Sequence, residues 1–345
     1  MALTKTAPQQ RSEDRVMELD DEAERLYLRE KLHEALAPLH LRGLWQLPPG
    51  SLPTSPTPVT QACHWRASDV IPLAHQATEV ITADGERRAV LLTNPALGPT
   101  PFTTTTIQGA VQCLPAHETV AAHRHTPAAI RFILRGAGSY TTVGGVKCEM
   151  APGHFIFTPN WSWHDHTNPT DDPVVWFDGL DIPIVTRLET LIFEDHPDGV
   201  QKLTNSTSDM YRTPWEDTDR TLTELFDDPT KIASVQFTDP ITGGAISPTL
   251  DCWMRRLGPA LTTHATRKTG NSIFVVFSGT GETSVGRSRF EWEAGDVFVA
   301  PSWAVVDHRP YETSNLFEMT DRPILEALGL FRYETLEVDA LVEVS

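Results

Sequence analysis

Gly153-His154-Phe155-Ile156-Phe157-Thr158-Pro159-Asn160-Trp161 and Gly295-Asp296-Val297-Phe298-Val299-Ala300-Pro301-Ser302-Trp303 carry one pattern, Gly-x5-Pro-x-Trp, at two places in the chain. Each reads as a turn glycine, a short apolar strand and a proline that ends it. The match continues upstream. Glu149-Met150-Ala151-Pro152 stands against Glu291-Trp292-Glu293-Ala294, and Phe132-Ile133-Leu134-Arg135-Gly136-Ala137-Gly138 against Phe274-Val275-Val276-Phe277-Ser278-Gly279-Thr280-Gly281. A repeat on this scale means two modules of one fold. Residues 89–93, 141–143, 155–157 and 174–177 read as short strands between glycines and prolines, so both modules are expected to be β-rich.

Length and charge agree with that division. The chain has 345 residues, room for two cores. With 28 Lys+Arg against 46 Asp+Glu the net charge is −18, which speaks against a nucleic-acid partner. No apolar run approaches the roughly 20 residues of a membrane helix, and the first residues have no signal-peptide pattern. Four scattered cysteines form no disulfide framework. The expectation is a soluble, cytoplasmic protein. Residues 1–60 read as a tail, a helical arm over 18–36 (Leu28, Leu32 and Leu36 on one face) and a proline-rich linker. A first module over 61–186, an acidic connecting segment over 187–240 and a second module over 241–345 follow.

The chemistry is concentrated in the first module. His123-Arg124-His125 lies in a β-like stretch, where alternate side chains share a face, so both imidazoles point one way. His164 follows in Trp161-Ser162-Trp163-His164-Asp165-His166, just after a strand end. Two such histidines alone are weak evidence of a metal. Three converging from two strands would hold a divalent ion on one side and leave the other open. In the second module the matching positions are Thr266, Lys268 and Val306, so no metal is expected there and its role reads as structural.

His123-x-His125 with Gly136, then Gly153-x5-Pro159-x-Trp161-x2-His164-x3-Asn168, resembles the two motifs of the cupin superfamily. His117 stands where the first motif begins with glycine, Trp161 where the second has an internal glycine, and Ala129 where the first has its glutamate ligand. The implied fold is all-β: a bicupin of two jelly-roll (double-stranded β-helix) barrels with an N-terminal helical arm. With the carboxylate gone, a trio of neutral imidazoles leaves a dication's charge uncompensated, which favours an anionic, chelating substrate.

A bicupin with one metal-bearing half resembles gentisate 1,2-dioxygenase and its salicylate and 1-hydroxy-2-naphthoate relatives. Trp65-Arg66, Arg87-Arg88 before Asn94-Pro95, Ala122 to Phe132, and Trp176-Phe177-Asp178-Gly179-Leu180-Asp181-Ile182-Pro183 carry the likeness. It implies one Fe(II) per subunit on His123, His125 and His164, and insertion of O2 between the carboxylate-bearing and hydroxyl-bearing ring carbons of a small aromatic acid. It also implies a homotetramer. Arg131, odd-numbered like His123 and His125, is expected to face the cavity and bind the substrate carboxylate; the alternative is a solvated outer-face arginine. Arg87 is a second anion-binding candidate, with Arg88 adjacent. Gln108, Ala110 and Gln112 are expected to line the ring pocket. His166 is expected to act on the substrate or bound oxygen, or to be a turn histidine; Asp178 to meet a ring hydroxyl or orient a ligand, or to cap a turn. Gln108 replaces an aromatic residue frequent in relatives, so gentisate, salicylate, a substituted salicylate and 1-hydroxy-2-naphthoate all stay open as substrates. So does a non-catalytic bicupin.

Overall fold

The computed structural model describes residues 22–82, 88–204, 209–261 and 265–336. The expected tail over 1–15, the first residues of the expected arm helix, and Arg87 lie outside them. Residues up to Ser55 form a unit of their own. Its helix α1 (Glu22–Leu36) has Glu22 and Glu24 in its first turn and His33 in its last, which suits the helix dipole. Short 3-10 turns follow, and Trp45 Nε1 donates to His33 Nε2 at 3.0 Å. Leu28 and Leu32 stay exposed. No helix among the described residues is long and apolar enough to cross a membrane.

From Pro56 onward the chain is a second unit holding both modules. The first module's strands are β1 (Gln108–Leu114), β2 (Thr119–His125), β3 (Ala129–Arg135), β4 (Ser139–Val143), β5 (Val146–Met150), β6 (Phe155–Thr158), β7 (His164–Thr167) and β8 (Val174–Leu180). The second module repeats them as β9 (Asp251–Leu257), β10 (Thr266–Lys268), β11 (Ser272–Ser278), β12 (Gly281–Val285), β13 (Ser288–Trp292), β14 (Val297–Ala300), β15 (Val306–Pro310) and β16 (Ser314–Thr320). In each module a six-stranded sheet (central order β6-β3-β8-β1, or β14-β11-β16-β9) faces a five-stranded one (β2-β7-β4-β5, or β10-β15-β12-β13). This is the jelly-roll order, and the bicupin expected from the motifs is what the chain forms.

The six-stranded sheets are covered on both faces, and their sequences show it. Ala129-Ile130-Arg131-Phe132-Ile133 and Ser272-Ile273-Phe274-Val275-Val276 are nearly continuous apolar runs without polar alternation. Ile130, Phe132, Phe155 and Phe177 of one module share a core with Ile273, Val275, Phe317 and Phe237 of the other. Ile133, Ile156, Val174 and Trp176 point the opposite way, into the first barrel; Phe274, Val276, Phe298 and Leu316 point into the second.

The connections lock the modules reciprocally. His64–Trp65, preceding the first module, pairs with β14 of the second. Arg212–Thr213, preceding the second, pairs with β6 of the first. Each is followed by a helix, α2 (Ala67–Val80) and α4 (Trp215–Leu225), with the short helix α3 (Ile182–Arg187) between them. The motif glycines explain why the repeat was so clear. A Cβ on Gly153 (φ +83°) would meet Trp215 and Phe277, and one on Gly295 (φ +93°) would meet Ala67. Asp181 and Asp321, the latter preceding α5 (Arg322–Ala327), complete the exchange. Asp181 accepts from Thr249 and Asp321 from Thr106, each at 2.5 Å across the modules.

Phe317 is fully buried and stacks on Phe132 with centroids 4.6 Å apart. Phe317→Ala should therefore cost about 3–5 kcal/mol, read as a lowered urea midpoint. A loss under about 1 kcal/mol would show that the modules do not depend on this contact.

Candidate metal centre

In β2 Thr119, Ala121 and Arg124 are the more exposed residues, while His123 and His125 are buried. His123 and His125 point into the barrel, while Arg124 turns outward between Trp161 and Trp163, 4.3 Å from each ring, and ion-pairs with Glu194. His164 opens β7 and sits opposite His123 in the ladder. The ring nitrogens offered by His123, His125 and His164 lie within 4.8 Å of one another, and all three residues are buried.

Each ring is aimed by its backbone. Nδ1 of His123 donates to Ala121 O at 2.9 Å, that of His125 to Pro127 O at 2.8 Å, and that of His164 to Ser162 O at 2.9 Å. Those bonds fix the tautomer with Nε2 as the lone-pair atom, the usual support for a metal-binding imidazole. Burial first, then the charges of Arg131 and the neighbouring histidines, hold His164 well below the ordinary histidine pKa, so its ring is neutral. Its Nε2 is buried with no hydrogen-bond partner among the described residues, a costly arrangement unless a ligand takes the lone pair. The donor set fits a first-row divalent metal such as iron. Among the described residues no carboxylate joins the cluster; Ala129, at the glutamate position of the motif, is a buried β3 residue.

The opposite wall is the inner face of the six-stranded sheet. In its ladder Ile156, Arg131, Asp178 and Ala110 are neighbours across β6, β3, β8 and β1. Gln108 and Gln112 flank Ala110 on the same face of β1. Arg131 is 1% exposed, so it is not a solvated outer-face arginine. Its Nη1 donates to Thr158 Oγ1 at 2.6 Å, and its Nε lies 3.3 Å from Asp178 Oδ1. Asp178 Oδ2 accepts from Trp176 Nε1 at 2.7 Å, so Asp178 sits mid-strand as the counterion of Arg131 rather than at a turn. Gln108 Nε2 donates to Gly109 O at 2.7 Å, and its buried Oε1 has no partner among the described residues.

His166 is buried on β7, where its Nδ1 shares a 2.8 Å hydrogen bond with Thr141 Oγ1 and its ring lies over Trp176. Burial and the nearby charge of Arg131 push its pKa well down. Arg88 is ion-paired with Glu118. The parity that placed Arg131 with His123 and His125 is corrected by the fold. A turn separates β2 from β3 and they belong to facing sheets, so Arg131 points inward because of its own strand's alternation.

Sequence reading missed Thr141, Thr158, Trp176 and Phe193. Thr141 and Thr158 are polar strand residues whose partners lie on other strands, visible only in the register, whereas Trp176 donates to Asp178 two residues on along its own strand. Phe193 belongs to the connecting segment, in a short strand (Phe193–Asp195) paired with β2, and stacks on His123 with centroids 5.1 Å apart. Asn168, the last residue of the motif, is structural: its Nδ2 donates to the carbonyls of Leu114, Pro115 and Asp172.

The second barrel repeats the frame without the ligands. Thr266 faces Val306 as His123 faces His164, and Thr283 bonds His308 Nδ1 at 2.8 Å as Thr141 bonds His166.

What this fold and this histidine cluster define is a bicupin with a metal-competent first barrel. The cupin domain family matches residues 110–182, from β1 into α3. A gentisate 1,2-dioxygenase from Streptomyces sp. is 35% identical over 326 residues, spanning 84% of this chain and 90% of its own. A 5-aminosalicylate 1,2-dioxygenase from Comamonas sp. is 33% identical, spanning 87% and 88%. The salicylate 1,2-dioxygenase of Pseudaminobacter salicylatoxidans superposes with a TM-score of 0.83 at 30% identity, over 89% of this chain and 97% of that one. The chain belongs to the gentisate 1,2-dioxygenase family of ring-cleaving bicupin dioxygenases, and is an oxidoreductase of that kind.

Elemental analysis after gel filtration tests the cluster. Wild-type protein should carry about one metal ion per chain and His164→Ala less than about a tenth of that, with circular dichroism unchanged. A full complement in the variant would place the metal elsewhere.

Proposed function

We propose that the protein cleaves gentisate between its carboxylate-bearing and adjacent hydroxyl-bearing ring carbons, adding both atoms of O2 to give maleylpyruvate. The observation that carries this reading is the buried guanidinium of Arg131 on the wall facing a histidine trio that no carboxylate joins among the described residues. Iron(II) held by His123, His125 and His164 would supply coordination for the substrate oxygens and O2 and a path for electrons between them. The salicylate 1,2-dioxygenase of Pseudaminobacter salicylatoxidans has been solved as adducts with gentisate, which supports an aromatic acid as the ligand class.

The residues then divide the work. Arg131 binds the carboxylate, its guanidinium oriented by Asp178 and Thr158. Asp178, with one oxygen on Trp176 and the other beside Arg131, keeps the arginine's charge compensated before substrate enters. Gln108 Oε1 accepts from the second ring hydroxyl, and Gln112 and Ala110 border the ring. His166, neutral and held by Thr141, exchanges a proton with the substrate or the incoming oxygen. Arg87 remains a second anion-binding candidate. The homotetramer implied by the family belongs to the same proposal, with exposed Leu28 and Leu32 of the arm as side chains that a neighbouring subunit would cover.

A substituted salicylate is the second reading. It is favoured by the amide of Gln108 on the pocket wall and by the relative named for 5-aminosalicylate.

Oxygen uptake by the Fe(II)-loaded protein decides between substrates. Gentisate should give the highest kcat/KM among gentisate, salicylate, 5-aminosalicylate and 1-hydroxy-2-naphthoate; preference for another displaces it. Binding without oxygen consumption would overturn the enzymatic reading. Arg131→Lys, which loses the bidentate fork, should lower kcat/KM about 10–100-fold. Thr266→Ala in the second barrel should stay within about twofold of wild type.

A further inference from the structure

The second barrel has lost its metal ligands without filling the space they left. It retains a cavity of about 590 Å³, in the range of small-molecule sites. Apolar side chains form much of its lining, among them Phe274, Ala300, Ala304 and Val306. At its inner end is a built ionic group. Glu318, 3% exposed, receives Arg255 Nε at 2.5 Å, Lys268 Nζ at 2.7 Å and Ser272 Oγ at 2.9 Å.

The positions correspond to those of the metal barrel. Arg255 takes the place of Gln112, Lys268 of His125, Glu318 of Asp178, and Phe274 of Arg131. Where the first barrel sets one arginine against one carboxylate, the second sets two cations against one. Burial alone would raise Glu318, but Arg255 and Lys268 hold it well below the carboxylate range, so it is ionised. Burial pushes His308 down to about 4, so it adds no charge at neutral pH. Arg267 and Lys231, which also line the cavity, are matched by Glu334 and Asp228. Among the charged groups lining the cavity one positive charge is thus in excess; Asp251, on the same face of β9 but outside the lining, is held by Gln236 and Trp253.

A purely structural ion pair would need one cation for Glu318; a second adds desolvation without a further anion to meet it. Both cations are reachable, with Lys268 25% and Arg255 27% exposed at the side chain. Both have donors beyond those used: an ammonium has three, of which one goes to Glu318, and a guanidinium has five, of which Nε goes to Glu318 and Nη1 to Ser234.

We propose that the second barrel binds a monoanionic carboxylic acid with a flat apolar body, its carboxylate on Lys268 and Arg255 and its ring against Phe274, Ala304 and Val306. The proposed role is binding; among the described residues no group of metal ligands lies in this barrel. Such a site gives the second module a binding role beyond supporting the first.

Benzoate is the probe, since it has the carboxylate and ring but no hydroxyl that would make it a ring-cleavage substrate. Equilibrium dialysis of labelled benzoate against the full-length, iron-loaded protein should show binding in both barrels. Ala304→Trp, which fills the cavity and keeps the ionic group, should lose about one equivalent per chain, and Lys268→Met should lose the same. Turnover of the ring-cleavage substrate should change less than about twofold in either variant. Loss of one equivalent in either folded variant supports the site. An unchanged count in both, or no benzoate bound by wild type at millimolar concentration, overturns it. Should Ala304→Trp fail to fold, the count for Lys268→Met decides.

Discussion

Two six-stranded sheets pack face to face, and that contact constrains everything else in the molecule. Phe132, Phe155 and Phe177 from one module meet Phe237 and Phe317 from the other in one apolar layer. The outward faces of these sheets are thus committed to each other, by the hydrophobic term that dominates folding. Most polar groups on the same strands point the other way, into a barrel; Arg256 and Asn315 are exceptions, tied to Asp219 and Thr223 of α4. That is why Arg131, Asp178 and Gln112 on one side and Glu318 on the other are buried inside, with Arg255 half-buried at the cavity wall.

Inside the barrels, identical frames carry different chemistry. The first holds three imidazoles aimed by backbone carbonyls and a charge-balanced Arg131–Asp178 pair. The second replaces the ligands by Thr266, Lys268 and Val306 and carries its arginine two strands over, on β9. The histidine that bonds a β-strand threonine survives in both, as His166 with Thr141 and His308 with Thr283. A fold stabilised mainly by what lies between the barrels leaves their interiors free to diverge.

The departures from the cupin motifs are informative about backbone rather than metal. His117 and Trp161 stand at glycine positions, yet both keep left-handed φ, +59° and +60°, and Trp303 has +65° in the second module. Such a conformation is unfavourable for a residue with Cβ by about 1–2 kcal/mol. The turn geometry was retained after the glycine was lost, and the tryptophan at 161 gained a place against Arg124. The missing glutamate is different: alanine at 129 leaves no side chain that could ligate, and this changes the charge of the site itself.

The repeat, the β-rich class and the histidine trio were legible in the linear chain. Each depends on residue type and short-range spacing, which strand alternation converts directly into a shared face. The inward aim of Arg131 was reached by a parity that does not carry across a turn, and the partners Thr158, Thr141 and Phe193 were not legible at all. Nor were the exchanged edge strands at His64–Trp65 and Arg212–Thr213. These depend on which strand lies beside which, a property of long-range register. Register is set by how the two apolar sheet faces find each other, and only the tertiary structure records the outcome.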